Sequence, residues 1–330
     1  MLAAVYRQKG PAREVLRIEE VPVQSPGSGE VRVRLAFSGV NPSDVKSRAG
    51  LASPLMDHAA VIPHSDGAGV VEAVGEGVAS DWIGRRVWVF NGQWGRASGT
   101  AAQFIVLPLR QVVMLPDAVS LEHGASIGIP LMTAWHAVAA CGSLLGRTVL
   151  VPGAAGAVGR YVVQLARRAG ARVIASVSSE TKAEQARAAG ADEVVNYRTE
   201  DLGPRVRELT NGQGADFIIE VDAAGNGARY GELLAFGGKV VVYGSGQAMV
   251  GLPFRPLIMN FVTMYFFIVY RLPDDLLRQT TDGITALLGS TALPAWPLHH
   301  SPLQVFPLEE IATAHERVEQ GAGAKVLIRL

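Results

Sequence analysis

The chain has one cysteine in 330 residues, Cys141, so it cannot form an internal disulfide. It has no excess of either charge: 30 lysines and arginines balance 30 aspartates and glutamates, and no run of like charge stands out. That counts against nucleic acid or an anionic membrane as its main partner. Met1 to Gly10 alternates apolar and charged residues and lacks the apolar core of a signal peptide. The longest apolar stretch, Pro256 to Tyr270, carries Asn260 and Thr263. It falls short of the roughly 20 residues a membrane helix needs. A soluble, cytoplasmic protein is expected.

What is present is globular: 48% hydrophobic and 18% charged residues. The length exceeds one typical core, so two domains are expected. Val31-Arg32-Val33-Arg34-Leu35 alternates with period two, as a half-buried strand does. Gly67 to Val74 and Arg86 to Phe90 are further strand-like runs, punctuated by turns such as Gly75-Glu76-Gly77. Residues to about 124 read as an irregular β domain. The rhythm then changes. Strand-like runs at Thr148–Val151, Arg172–Ala175, Glu193–Val195, Phe217–Val221 and Lys239–Gly244 alternate with helical stretches at Arg160–Ala169 and Lys182–Ala189. Such alternation predicts a doubly wound parallel sheet with helices on both faces. After about 260 it stops. Met264 to Tyr270 reads as a strand, Pro273 to Leu288 as a helix, and Lys325 to Leu330 as a closing strand. The expected division is residues 1–124 with 261–330 in one domain and 125–260 inserted as the other.

The first of these parallel strands runs into Gly153-Ala154-Ala155-Gly156-Ala157-Val158-Gly159 and then a helix. A strand that ends in glycines and opens a helix lets backbone N–H groups approach a pyrophosphate, aided by the helix dipole. Aligned to the usual fingerprint the turn reads Ala154-x-Gly156-x-x-Gly159, with alanine in the first glycine's place. The next strand discriminates between cofactors. An NAD site often has an acidic residue about 20 residues after the turn. Here Ser176-Val177-Ser178-Ser179 offers hydroxyls, and Lys182 follows. A hydroxyl and a cation suit a 2′-phosphate, which a carboxylate would repel. NADPH is the expected cofactor.

At this point the chain resembles the medium-chain dehydrogenase/reductase superfamily, in its zinc-free quinone oxidoreductase and zeta-crystallin-like branch. The markers are Gly39-Val40-Asn41-Pro42-Ser43-Asp44, Gly67-Ala68-Gly69-Val70-Val71, Ile127-Gly128-Ile129-Pro130 with Thr133-Ala134, the glycine turn, Ser178 with Lys182, and Val195-Asn196-Tyr197. The resemblance implies a GroES-like β domain with a Rossmann domain inserted in it. It also implies that Asn41 and Thr133 line the nicotinamide side and that Gly156, Ala157 and Val158 hold the pyrophosphate. Ser178 and Lys182 would take the 2′-phosphate, Tyr197 would lie near the adenine, and Tyr243, Gly244, Ser245 and Gly246 would flank the nicotinamide ribose. One departure concerns the substrate mouth. Relatives often carry tyrosines after the arginine-rich segment, whereas Arg48-Ala49-Gly50 here leads into Leu51-Ala52-Ser53-Pro54, and an apolar loop, Pro54 to Ile62, follows.

The same superfamily contains zinc enzymes, which the ligand chemistry disfavours here. Catalytic zinc needs about three Cys, His or acidic ligands, and a structural site about four thiolates. Where a zinc relative would have its first cysteine, this chain offers Asn41 to Asp44, and at the histidine–glutamate position Ser65-Asp66. His64, adjacent to that Ser65-Asp66 pair, is out of register. A metal held by His64 with Asp44 and Asp66 is the alternative, but a loop histidine more often serves as a hydrogen-bonding residue. His299-His300 in its proline-rich stretch reads the same way. No metal is expected. The resemblance thus implies an NADPH-dependent reductase of quinones or conjugated carbonyls. Two alternatives stand beside it. One is an enoyl or 2-alkenal reductase, favoured by a wide apolar mouth at Leu51, Phe266 or Phe267. The other is a non-enzymatic RNA-binding or structural protein. In relatives the strand that corresponds to Met264–Tyr270 lies at the sheet edge and pairs across a two-fold axis, so the resemblance implies a homodimer. An apolar edge left bare invites aggregation, and burial inside the monomer is the competing reading.

Overall fold

In a computed structural model of the protein, residues 1–51, 58–289, 298, 300–321 and 323–330 are described. They form two compact units, Met1–Ile129 with Thr281–Thr291 and Pro302–Leu330, and Pro130–Thr280 with Ala292–Ser301.

The first unit is built on a seven-stranded sheet. Its order is Leu303–Pro307, Lys325–Arg329, Glu30–Val40, Asp66–Val74, Arg86–Val89 and Val112–Met114, with Phe104–Pro108 also paired to Glu30–Val40. The period-two pattern decides its core. Val31, Val33 and Leu35 are buried with Val71, Val87, Ile105 and Leu107, while Arg34 between them is exposed. A second core lies where helices Pro42–Arg48 and Ile311–Glu319 pack, with Val40, Val45, Ile311, Ala314, Val326 and Ile328 buried. The last strand runs antiparallel to Glu30–Val40, with Val326 opposite Val40. The chain's C-terminal residues therefore lie beside the turn that carries Asn41.

The second unit is a six-stranded parallel sheet. Thr148–Pro152 lies near the centre, with Arg172–Val177 and then Glu193–Asn196 to one side and Ala215–Glu220, Leu234–Val242 and Thr263–Phe266 to the other. This is the doubly wound dinucleotide-binding order, and its strands are nearly continuous apolar runs because both faces are covered.

Two expectations change here. The strand expected over Met264–Tyr270 is Thr263–Phe266, followed by a 3-10 turn at Val269–Arg271. It pairs with Lys239–Val242, so it is the sixth strand of the inserted sheet. The boundary expected at 260 accordingly falls near 280, within helix Asp274–Gly289. A break in strand–helix alternation was the only sign of a boundary near 260, yet that sheet takes one more strand. The apolar stretch at 256–270 is also surpassed. Helix Leu121–Cys141 is long and apolar enough to cross a membrane, but most of it is buried inside the protein, as a core helix is.

Candidate functional site

In the second unit the expected cofactor residues gather at the carboxyl ends of the parallel strands, where ligands of doubly wound sheets bind. After Thr148–Pro152, Gly153 takes a left-handed backbone at φ +66°. The demand for a glycine therefore falls on Gly153, and Ala154, wholly buried, is tolerated one residue later. Gly156 caps helix Ala157–Arg168 with extended backbone. A Cβ on Gly159 would run into the Gly153 carbonyl oxygen, so helix and strand can approach only with glycine there. The N–H groups of Ala157, Val158 and Gly159 belong to the helix's first turn and have no intrahelical acceptors. Unpaired N–H groups of this kind, with the helix dipole behind them, are what anions bind at helix N-termini in general.

One strand over, Lys182 Nζ donates to Ser178 Oγ at 2.9 Å, an i,i+4 pair across the start of helix Glu180–Ala188. Ser179 caps that helix, accepting from the Lys182 N–H. Glu180, the first carboxylate along the chain after Ser178, is paired with Arg187 at 2.7 Å. What remains at the strand end is a hydroxyl beside an ammonium. Tyr197 follows the neighbouring strand; its N–H donates to Val177 O at 3.1 Å, and the Arg198 guanidinium lies over its half-exposed ring. Ser178, Lys182 and Tyr197 are thus brought together.

Tyr243, Gly244 and Ser245, after the fifth strand, line an open cleft of about 680 Å³ with Tyr265, Phe267 and Arg271. Gly246 is held alongside by its N–H donating to Asp222 Oδ1 at 2.7 Å. Thr133 is buried on helix Leu121–Cys141. One turn later His136 Nε2 meets Tyr265 Oη at 3.0 Å, with the Phe267 ring edge-on at 4.7 Å. Burial lowers the His136 pKa and keeps the ring neutral. Sequence reasoning missed this pair; the available signal was the three-residue spacing from Thr133.

The first unit holds Asn41 in a buried polar cluster. Asn41 has extended backbone and Pro42 opens helix Pro42–Arg48. The Asn41 N–H donates to Asp44 Oδ2 at 2.7 Å, the N-terminal contact of a capping box. Its side-chain Nδ2 donates to Asp66 Oδ2 at 2.7 Å, and its Oδ1 accepts from Lys325 Nζ at 2.6 Å. Lys325 also donates to Val40 O at 3.1 Å and lies 3.6 Å from Asp66 Oδ2. Asp66 Oδ1 accepts the Ile129 N–H at 2.8 Å, and a side chain at Gly128 would collide with that same oxygen. Asp44, Asp66 and Lys325 are all buried. Burial raises the Asp66 pKa against the pull of Lys325, and lowers that of Lys325 against the pull of Asp66 and Asp44. Asp44, pushed up chiefly by burial and then by Asp66, reaches about 7. Lys325 read only as the start of a closing strand; nothing local to it signals a partner 284 residues away.

His64 does not join Asp44 and Asp66. Its Nδ1 contacts Ser38 Oγ and its Nε2 contacts His315 Nε2, each at 2.8 Å. The protons can be placed. Thr100 Oγ1 donates to the Asp66 carbonyl at 2.6 Å, so it accepts from Ser38, and Ser38 accepts from His64 Nδ1–H. His64 Nε2 is then the acceptor and His315 Nε2 the donor. Both rings are neutral: burial lowers the His64 pKa well below its usual range and that of His315 to about 3. His64 also carries a left-handed backbone, φ +79°, rare for a non-glycine residue and held here by bonds on both ring nitrogens. Among the described residues no group of three or more His, Cys, Asp or Glu is arranged to hold a metal ion. His300 bonds Tyr161 Oη at 3.0 Å, while His299 lies outside the described residues. Of the mouth loop, Ala52 to Asp57 also lie outside them; Leu51 and Phe266 are exposed.

This arrangement has known counterparts. The family model for zinc-binding dehydrogenases matches residues 157–284, and that for the alcohol dehydrogenase GroES-like domain matches residues 27–117. A 2-haloacrylate reductase from a Burkholderia species is 32% identical, over 99% of this chain and 98% of its own length. Human quinone oxidoreductase is 30% identical, over 97% of this chain and 94% of its own. A mycobacterial protein solved in complex with NADPH shares 27% identity at a TM-score of 0.83, each chain covered in full.

Proposed function

The chain belongs to the medium-chain dehydrogenase/reductase superfamily, in its quinone oxidoreductase branch, and from that premise we propose that it is an NADPH-dependent, metal-free reductase of quinones. The observation that carries the choice of NADPH is the Lys182–Ser178 pair at the end of the second strand, with Glu180, the first carboxylate along the chain after Ser178, paired with Arg187. Gly156, Ala157 and Val158 hold the diphosphate side: the Ala157 and Val158 N–H groups have no intrahelical acceptor, Gly156 lets the backbone approach, and the helix dipole lies behind them. Ser178 and Lys182 take the 2′-phosphate, and Tyr197 covers the adenine. Tyr243, Gly244, Ser245 and Gly246 flank the nicotinamide ribose. When bound, the reduced nicotinamide supplies the hydride. Asn41 and Thr133 orient the nicotinamide or the substrate oxygen by hydrogen bonds. A quinone or conjugated carbonyl is already electrophilic, so the assigned reaction needs no Lewis acid. Lys325 supplies the positive charge within the oxygen-rich cluster around Asn41. With its one cysteine buried as a free thiol, the protein suits the cytoplasm. The test is oxidation of NADPH and NADH against quinones, enones and enals.

A second reading has its own support. A 2-haloacrylate is a conjugated acid with a reducible C=C bond, and the relative named for it matches almost the whole chain. The cleft beside Tyr243 is rich in aromatic side chains, which would suit reduction of an enoyl or 2-alkenal substrate.

The sheet edge argues for a homodimer. Among the described residues Thr263–Phe266 pairs on one side only, and Phe254, Ile258, Met259, Phe261, Phe266 and Ile268 around it are exposed. A patch of this kind marks an association surface. Light scattering should give a mass about twice 34.9 kDa, and Phe266→Asp should lower it to that of one chain. A native mass of one chain would refute the dimer.

A further inference from the structure

We propose that Lys325 and Asp66 are positioning residues: they lock the Asn41 amide in one orientation and aim its remaining N–H at the substrate's carbonyl oxygen. The proposal rests on the assignment of Asn41 to the substrate side of the site, and it deepens that assignment.

An asparagine amide is nearly symmetric in shape, so its orientation is set by what its two ends meet. Here the ends meet opposite charges. Oδ1 faces the Lys325 ammonium at 2.6 Å and Nδ2 faces the Asp66 carboxylate at 2.7 Å. A flip would set N–H against N–H and oxygen against oxygen, both in a buried setting where such contacts are poorly screened. The two charged groups are themselves fixed. Lys325 also bonds Val40 O, and Asp66 Oδ1 is taken by the Ile129 N–H. The absence of a side chain at Gly128 leaves room for that carboxylate. The amide therefore has little freedom. Its NH₂ has two hydrogens, of which Asp66 takes one, and the other has no acceptor among the described residues.

The ammonium on Oδ1 also changes what that hydrogen can do. It draws electron density through the conjugated amide and strengthens the N–H as a donor. In the proposed reaction the conjugated substrate takes up a hydride and its carbonyl oxygen acquires the negative charge. A proton from water then completes a hydroquinone or an enol. A donor already aimed at that oxygen stabilises the charge as it forms, without reorganising first. Lys325 and Asp66 act on the chemistry only through Asn41.

The experiment compares N41A, K325M and D66N with the native protein. Turnover of 1,4-benzoquinone with NADPH, the NADPH Kd, and the ¹⁵N-edited spectrum of side-chain amides are measured. Each variant should lower kcat on the order of a hundredfold, the usual loss for one donor to a developing oxyanion. The NADPH Kd should stay within about twofold, because the cofactor's phosphates are assigned to the other unit. The native spectrum should show one slowly exchanging NH₂ pair that is absent from N41A and collapses in K325M. Methylammonium should restore turnover to K325A. If K325M does not fold, K325M/D66N removes both charges together and must show the same losses. A fall in kcat for N41A with native turnover and an unshifted Asn41 pair in K325M, or in the double variant, would overturn the proposal alone. Native turnover in N41A would instead remove the Asn41 assignment, and this inference with it.

Discussion

Exchanging Lys182 for alanine and Ser178 for aspartate together should reverse the cofactor preference, shifting the NADPH-to-NADH ratio of kcat/KM on the order of a thousandfold. Two effects combine. Lys182 Nζ sits 2.9 Å from Ser178 Oγ, so a phosphate placed there would receive a charge-assisted hydrogen bond and a neutral one. Losing the charged one costs about 1.5–3 kcal/mol, roughly ten- to a hundredfold in NADPH affinity. The aspartate adds a like charge against the 2′-phosphate and an acceptor for the ribose hydroxyls of NADH, worth about another tenfold. Ser179, which caps the following helix, is untouched, so the local fold should persist. Steady-state kinetics with both cofactors checks this. Equal losses with both would mean that the pair serves the helix rather than a phosphate.

Asp44→Asn should gain stability relative to the native protein as pH rises, by about 4 kcal/mol between pH 4 and pH 8. Burial and the neighbouring Asp66 raise the Asp44 carboxyl from 3.8 to about 7. The folded state therefore holds this proton more tightly than the unfolded state does. For such a group the stabilisation is full below the unfolded value, declines by about 1.4 kcal/mol per pH unit as pH rises through the window, and is gone above about 7. Asparagine has no proton to lose, and its amide oxygen can accept the same Asn41 N–H that Asp44 accepts at 2.7 Å. The buried histidines work in the opposite sense. His64 and His315 are held neutral, so their contribution is present above about pH 6.5 and is lost as pH falls below it. They are common to both proteins and cancel in the difference. Denaturant melts of both proteins across this range measure it, and a difference that stays flat with pH would contradict the buried, coupled setting assigned to Asp44.

What was legible in the chain was what local physics dictates. Period-two alternation at Val31 to Leu35 marks a strand because one face is buried, and it is one. The four-residue step from Ser178 to Lys182 spans one helical turn, so a meeting of the two could be foreseen, and they are bonded. The glycine turn was legible in outline only. Its first fingerprint position is alanine, and the left-handed residue is Gly153, one position earlier. Interactions across long stretches of chain left no local mark. Lys325 meets Asn41 across 284 residues and His64 meets His315 across 251, and no spacing rule reaches that far. The sixth strand was recognised as a strand, but a strand's own sequence does not say which sheet it joins. Its pairing with Lys239–Val242 is a property of the folded sheet.

The proposed reaction is metal-free reduction of a conjugated carbonyl by NADPH, with the turn from Gly153 to Gly159 and Ser178 and Lys182 proposed to hold the cofactor. The most direct measurement is the loss of reduced-nicotinamide absorbance with quinones, enones and enals as acceptors, with NADPH and NADH in parallel and with a chelator present and absent. The account predicts oxidation that depends on the acceptor, favours NADPH and is indifferent to the chelator. Tight NADPH binding with no oxidation by any acceptor, or turnover that the chelator abolishes, would contradict it.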